Sequence, residues 1–313
     1  MLYRSTRNKL DTYTSYKALR LQDEKNNGFI LPLRIPVLEC SQIESMRAGS
    51  ILDSIADILN LFFGTEFTAW DMESTIGKSP VQLAECGQKV ILAQYWKNPA
   101  SKMEYYQQAI MSKLCSEPAM KPTVWVKVAV RIAFVAATIL SITENPVDVA
   151  VNTGDFEQML AVYYCREMGV PIRKILIACN ENSNIWDFVC RGTLHCGATL
   201  QKTNYPDQDK VIPELFEAYL FMAYGYEEVK RYLECLSAKQ DYQLPEEADI
   251  PVNNNLFVSV IGQERIPAVI SSFQSNNGIT VNPYAAFSIG VLQDYRAKAG
   301  ESSPTIVFEE AAP

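Results

Sequence analysis

The sequence predicts an α/β protein built on an open, mostly parallel sheet with flanking helices. Three observations carry that expectation. The chain has 313 residues, 48% hydrophobic and 20% charged, the balance of a folded globular protein with a sizeable core. Residues 147–179 carry strand and helix signals in the order of a βαβ unit. A further series of helices and strands fills the C-terminal part.

The βαβ unit is the most explicit of the three. Val147–Val151 is a short apolar run with β-branched residues, as in a buried strand. It leads into Asn152-Thr153-Gly154, after which Asp155–Met168 reads as a helix. Gly169-Val170-Pro171 ends that helix, and Lys174–Cys179 (KILIAC) is a second buried strand. Two strands joined this way imply parallel pairing through a right-handed crossover. Downstream, Pro213–Ala223 and Glu227–Ser237 read as helices, Leu256–Ile261 as a strand, Gln263–Gln274 and Pro283–Ala297 as helices, and Thr305–Glu309 as a last strand.

The N-terminal part is less regular. Asn26-Asn27-Gly28 signals a turn ahead of the apolar run Phe29-Ile30-Leu31. Ser50–Phe63 is apolar at helical spacing, with Ser50 as its cap and Gly64 as its stop. Ser101–Leu114 reads as a helix, and Thr123 caps a long apolar helix from Val124 to about Ile142. That helix contains Lys127 and Arg131, and its uncharged stretch falls short of the roughly 20 apolar residues that span a bilayer. It is therefore expected to be a buried core helix, and no membrane association is expected. Two domains are expected, residues 1–118 and 119–313.

Composition narrows the function classes. A formal net charge of -8 argues against nucleic-acid binding, which needs clustered Lys and Arg. The single histidine, His195, leaves little material for His-based metal or Ser/His chemistry. Eight cysteines contain no C-x-x-C pair, so they read as reduced, mostly buried hydrophobes, and no metal site is expected. Cys190 and Cys196 around His195 read as loop packing. MLYRSTRNKL has no apolar signal-peptide core, and a cytoplasmic location is expected.

In an open parallel sheet, ligands bind at the carboxyl ends of strands, where helix N-termini offer free N–H groups. The turn after Val151 is the place to look. It reads TGDFEQM, with carboxylates at Asp155 and Glu157 that would repel a bound phosphate. Asp155 instead suits a helix cap, with Gln158 three residues on.

Several segments together resemble the threonine synthases, enzymes that use pyridoxal phosphate (PLP) to make threonine from O-phosphohomoserine on the tryptophan-synthase-β fold (PLP fold type II). YRSTR of Tyr3–Arg7, Tyr16-Lys17-Ala18 and GFILP of Gly28–Pro32 are similar to that family's STR, F-K-E-A and D-G-G-L-F-V-P features, and Ile51–Phe63 to its N-terminal helix. Residues 149–188 resemble its P-T-G-N-F-G-D…M-G-L-P-I…A-T-N-E-N segment almost throughout. Asn282-Pro283-Tyr284-Ala285-Ala286 is similar to D-P-H-T-A, and Ser303–Pro313 to the family's last strand with S-T-A-S-P.

The resemblance also shows departures. The family's PLP lysine lies in H-G-P-T-x-A-F-K-D; with a short deletion, Lys102 in QYWKNPASKME takes its place and Pro99 that of the motif proline. By the same resemblance the cofactor phosphate belongs at Thr153, Gly154, Asp155, Phe156 and Glu157, with Asp155 for the family's Asn and Glu157 for its Gly. Glu310 stands for the hydroxyl that faces the pyridine nitrogen. The mobile small domain that encloses the cofactor is expected to be largely missing between Leu114 and Thr123. These departures imply a catalytically degenerate member, a pseudoenzyme or interaction module. The alternative is an active PLP-dependent lyase that uses Lys102. The face left by the missing domain is expected to self-associate.

Overall fold

The computed structural model describes residues 1–21, 28–95 and 102–313, with the side chains of 253 and 254 left aside. The expected turn at Asn26-Asn27, and Pro99 with Ser101, lie outside the described residues. In chain order the elements are β1 (Leu2–Ser5), β2 (Asn8–Thr14), α1 (Ser15–Ala18), β3 (Ile30–Pro32), α2 (Cys40–Ala48), α3 (Ile51–Phe63) and α4 (Ala69–Ile76). Next come β4 (Gln82–Cys86), β5 (Val90–Gln94), α5 (Met103–Cys115), α6 (Val124–Ile142), β6 (Val147–Asn152), α7 (Phe156–Glu167) and β7 (Ile172–Cys179). The rest are α8 (Asn184–Arg191), β8 (Thr193–Leu194), α9 (Phe216–Tyr224), α10 (Tyr226–Ala238), β9 (Tyr242–Gln243), β10 (Leu256–Val260), α11 (Ile266–Asn277), α12 (Pro283–Ala299) and β11 (Thr305–Glu309).

Contacts divide the chain into two compact units that interleave along the sequence. The first comprises 1–82, 95–146 and 160–172. Its small sheet has the order β2-β1-β3, both pairings antiparallel. Its centre is α6, which packs on α2, α3, α5 and β3. Thr123 caps α6 by accepting from the Val126 N–H, and Arg131 is among its buried residues. Although α6 is long and apolar enough to cross a bilayer, most of it is buried, as a core helix requires. The Trp125 ring meets Phe62 edge-on at 5.1 Å and Tyr164 at 5.8 Å; such pairs add about 0.5–1.5 kcal/mol to the area they bury. Ser50 and Asp53 form a capping box on α3, and Gly64 closes it with φ of 69°.

The second unit comprises 83–94, 147–159 and 173–313. It holds the six-stranded sheet in the order β10-β7-β6-β11-β5-β4. The pairings β10–β7, β11–β6 and β11–β5 are parallel, and β6 lies beside β7, the neighbour the βαβ reading gives it. Val90, Leu92, Ala150, Leu176, Ala178 and Val307 of the strands pack on α11 and α12 through Val269, Phe273, Phe287 and Leu292. The order places the carboxyl ends of β5, β11 and β6 side by side, and with them Gln94, Glu309 and Asn152. Between α5 and α6 the chain runs through residues 116–123 with no further element.

Candidate functional site

The carboxyl edge of the sheet carries two polar clusters. The first is the turn from Asn152 to Asp155. Gln158 N–H donates to Asp155 Oδ1 at 3.1 Å, so Asp155 caps α7. The other donors of the turn are also taken. Thr153 N–H donates to Ala178 O at 2.9 Å, Asp155 N–H to Asn152 Oδ1 at 3.2 Å, and Gly154 N–H to Gln208 Oε1 at 3.0 Å. Gln208 Nε2 in turn donates to Asn152 Oδ1 at 2.5 Å, and Lys210 Nζ to Gly154 O at 2.9 Å.

Gln208 sits on a 3-10 turn, Pro206–Gln208, and has no solvent exposure. A Cβ built on Gly154 would lie 2.6 Å from Gln208 Nε2 and 2.9 Å from Asp207 O. The small size of Gly154 therefore admits the chain's own strap.

The second cluster lies at the ends of β5 and β11. Glu309, 1% exposed, accepts Gln94 Nε2 at 2.7 Å through Oε2 and Asn282 N–H at 3.0 Å through Oε1. Asn282 caps α12 by accepting Ala285 N–H at 2.8 Å, and its Nδ2 donates to Ala311 O at 2.6 Å. Gln94 Oε1 is buried with no hydrogen-bond partner among the described residues. Burial, and then the charge on Glu309, push the Cys86 thiol up; burial pushes the Cys179 thiol up to about 12. Neither is a thiolate nucleophile at neutral pH.

The structure places the expected site residues as follows. Thr153 and Phe156 are buried, and Gly154, Asp155 and Glu157 are half-buried at the start of α7. Glu310 is half-buried just past β11, while the carboxylate buried in the edge is its neighbour Glu309. Lys102 is exposed at the N-cap of α5 in the first unit, with no side-chain capping bond. Among the described residues no group of three or more His, Cys, Asp and Glu is disposed to hold a metal. His195 Nδ1 lies 2.9 Å from Asp241 Oδ2. Gln208, Gln94, Asn282 and Glu309 are among the polar residues of this edge that the sequence reading does not pick out as a site.

No protein-family profile matches the chain. It is 31% identical over 106 residues to threonine synthase-like 1 of Mus musculus, a stretch covering 31% of this chain and 14% of that protein. It is 24% identical over 193 residues to the threonine synthase of Pseudomonas aeruginosa, covering 60% of this chain and 40% of that enzyme. The matched stretches thus span less than two thirds of these relatives' own length. In fold, a PLP-bound threonine synthase from Brucella melitensis superposes with a TM-score of 0.84 at 18% identity, covering 100% of this chain and 89% of that one. Yeast threonine synthase superposes with a TM-score of 0.84 at 15% identity, covering 100% and 87%. With the parallel sheet, its flanking helices and the sequence matches in agreement, the chain shares the threonine synthase fold and is similar in sequence to threonine synthases over part of its length.

Proposed function

We propose that this chain is a non-catalytic member of the family, a binding or interaction module on the threonine synthase scaffold. The observation that carries the reading is the turn after β6, where Gln208 takes the Gly154 N–H. The dianionic phosphate ester of PLP brings acceptors only and needs free donors and room. From Thr153 to Asp155 the turn offers neither: these residues spend their N–H groups within the protein, and the Gln208 amide fills the space beside Gly154. The residues present therefore do not fit PLP in the manner the family resemblance implies. Glu309 is likewise engaged by Gln94 and Asn282. The direct passage from α5 to α6 through 116–123 supports the same reading, since a cofactor-enclosing domain would enter there.

The test is incubation of the full chain with PLP, reduction with borohydride, and intact-mass analysis, alongside an assay for threonine from O-phosphohomoserine. The mass is expected to stay that of the bare chain, with no threonine formed. A PLP adduct that is lost in Lys102→Ala, with threonine released by the wild type, would overturn the reading in favour of an active lyase.

Self-association and a cytoplasmic location belong to this reading. All eight cysteines are free thiols, as in a reducing compartment. Residues 116–119 and Lys121 are exposed and mostly polar, and the large apolar side chains that α4 and α5 expose are Trp70, 74% exposed, and Tyr105, 50% exposed. Sedimentation velocity at micromolar concentration is expected to show a species larger than the monomer; a single monomeric boundary counts against it.

A further inference from the structure

We infer that the turn at Gly154 is a carboxamide site filled from within: Gln208 is an internal ligand that stands where an external one would bind. The inference rests on the reading of the site as closed and adds which chemistry the closed site accepts.

Hydrogen-bond direction fixes that chemistry. Gly154 N–H can only donate, so the amide atom facing it must be the oxygen of Gln208. Asn152 Oδ1 already accepts from Asp155 N–H, so the atom of Gln208 facing it must be a donor, Nε2. The niche therefore presents one donor and one acceptor side by side, the complement of a primary carboxamide. A dianionic phosphate ester would satisfy Gly154 and place a second acceptor against Asn152 Oδ1. The Asp155 carboxylate, which accepts Gln158 N–H, adds negative charge at the same turn.

The strap that carries Gln208 is pinned from several sides. Asp209 Oδ1 accepts Asn180 Nδ2 at 2.8 Å and Thr203 Oγ1 at 2.8 Å, and its Oδ2 accepts Thr203 N–H at 2.7 Å. Asn182 forms a two-way clasp with Gln201: its Oδ1 accepts Gln201 N–H at 2.8 Å and its Nδ2 donates to Gln201 O at 2.9 Å. Lys210 Nζ holds the far side by donating to Gly154 O, and the Tyr205 ring packs edge-on against Phe287 of α12 at 5.3 Å. Asn180 and Asn182 follow β7, so the carboxyl ends of β6 and β7 both receive the strap. Placement of Gln208 is a property of the whole loop, and the niche is occupied whenever the loop is folded.

The test uses the full chain and reads the hydrogen exchange of the Gly154 amide together with thermal unfolding. Gln208→Ala removes the carboxamide and leaves a niche of acetamide's size and polarity. The variant is expected to unfold about 2–4 °C below the wild type. Its Gly154 amide is expected to exchange faster on the order of tenfold. Acetamide should slow that exchange in the variant and leave the wild type unchanged, while inorganic phosphate should slow it in neither. Gln208→Met keeps the bulk without either hydrogen bond. It should also speed the exchange, and it replaces the alanine variant if that one does not fold. Equal exchange in the wild type and the variants overturns the inference, as does protection of Gln208→Ala by phosphate or by neither compound. PLP uptake by the wild type is a separate outcome and counts against the non-catalytic reading. A wild type that ignores PLP, beside variants that exchange like it, removes the present inference alone.

Discussion

At Gly154 the neighbour that forbids a side chain is the protein's own amide. A glycine between a strand and a helix usually lets a ligand approach the backbone, and here it lets Gln208 approach. Gly154→Ala forces either Gln208 or the Asp207 backbone to move, an overpacking that costs about 1–3 kcal/mol. Urea unfolding is expected to show a lower midpoint at unchanged slope; a midpoint equal to that of the wild type contradicts the close approach. The residues of this edge were only partly legible in the sequence. Asp155 as a cap could be read from its spacing to Gln158, because capping is local chemistry. Gln208 could not, since it lies in a loop without periodicity and meets its partners 54 and 56 positions away. Glu309 and Glu310 are adjacent carboxylates. Only the burial of β11 through its last residue decides which one enters the edge.

The elements differ in how much of each is written locally. The bounds of α3 and α6 follow from Ser50, Gly64 and Thr123, and β6, α7 and β7 from apolar runs broken by Gly and Pro. By contrast β2 is exposed along nearly all its length and gives no alternating pattern. The link between β4 and β5 turns on Gln88 and Lys89, at φ of 59° and 57°, while the glycine of the link, Gly87, does not take the left-handed position. At the opposite end of β6 and β7 from the Gly154 turn, Asp148 is buried and takes a two-pronged contact from Arg173, at 2.9 Å through Nε and 2.6 Å through Nη2. Burial pushes the Asp148 carboxyl up, and Arg173 opposes that shift by holding the charged form. Arg173→Ala leaves the buried carboxylate uncompensated and is expected to cost about 3 kcal/mol in unfolding experiments. Arg173→Lys should restore only part of it, because a lysine cannot make the planar two-bond contact. A loss within the error of surface substitutions would show that the pair does not hold the strands.

Over the whole molecule, buried and half-buried tyrosines set an alkaline limit. Burial pushes the Tyr106 phenol of the first unit up to about 12. In the second unit, burial and then the hydrogen bond to Asp207 push Tyr284 up to about 12. Both bind their protons more tightly folded than unfolded. The stability this confers is complete below the unfolded value near 10 and is lost as pH rises from there toward 12. Thermal unfolding should give lower midpoints at pH 11 than at pH 9, and Tyr284→Phe should lessen the fall; a flat profile contradicts it. The scaffold of the family was legible from sequence because its strand and helix pattern is carried by long apolar runs. The closure of the site was not, because it depends on a loop side chain meeting a turn from which it is remote in sequence. The central claim, that this turn is closed to PLP by Gln208, is tested most directly by the Gly154 amide resonance during titration of the wild-type chain with PLP. The account predicts that the resonance stays in place up to excess PLP; a saturable shift at stoichiometric PLP would contradict it.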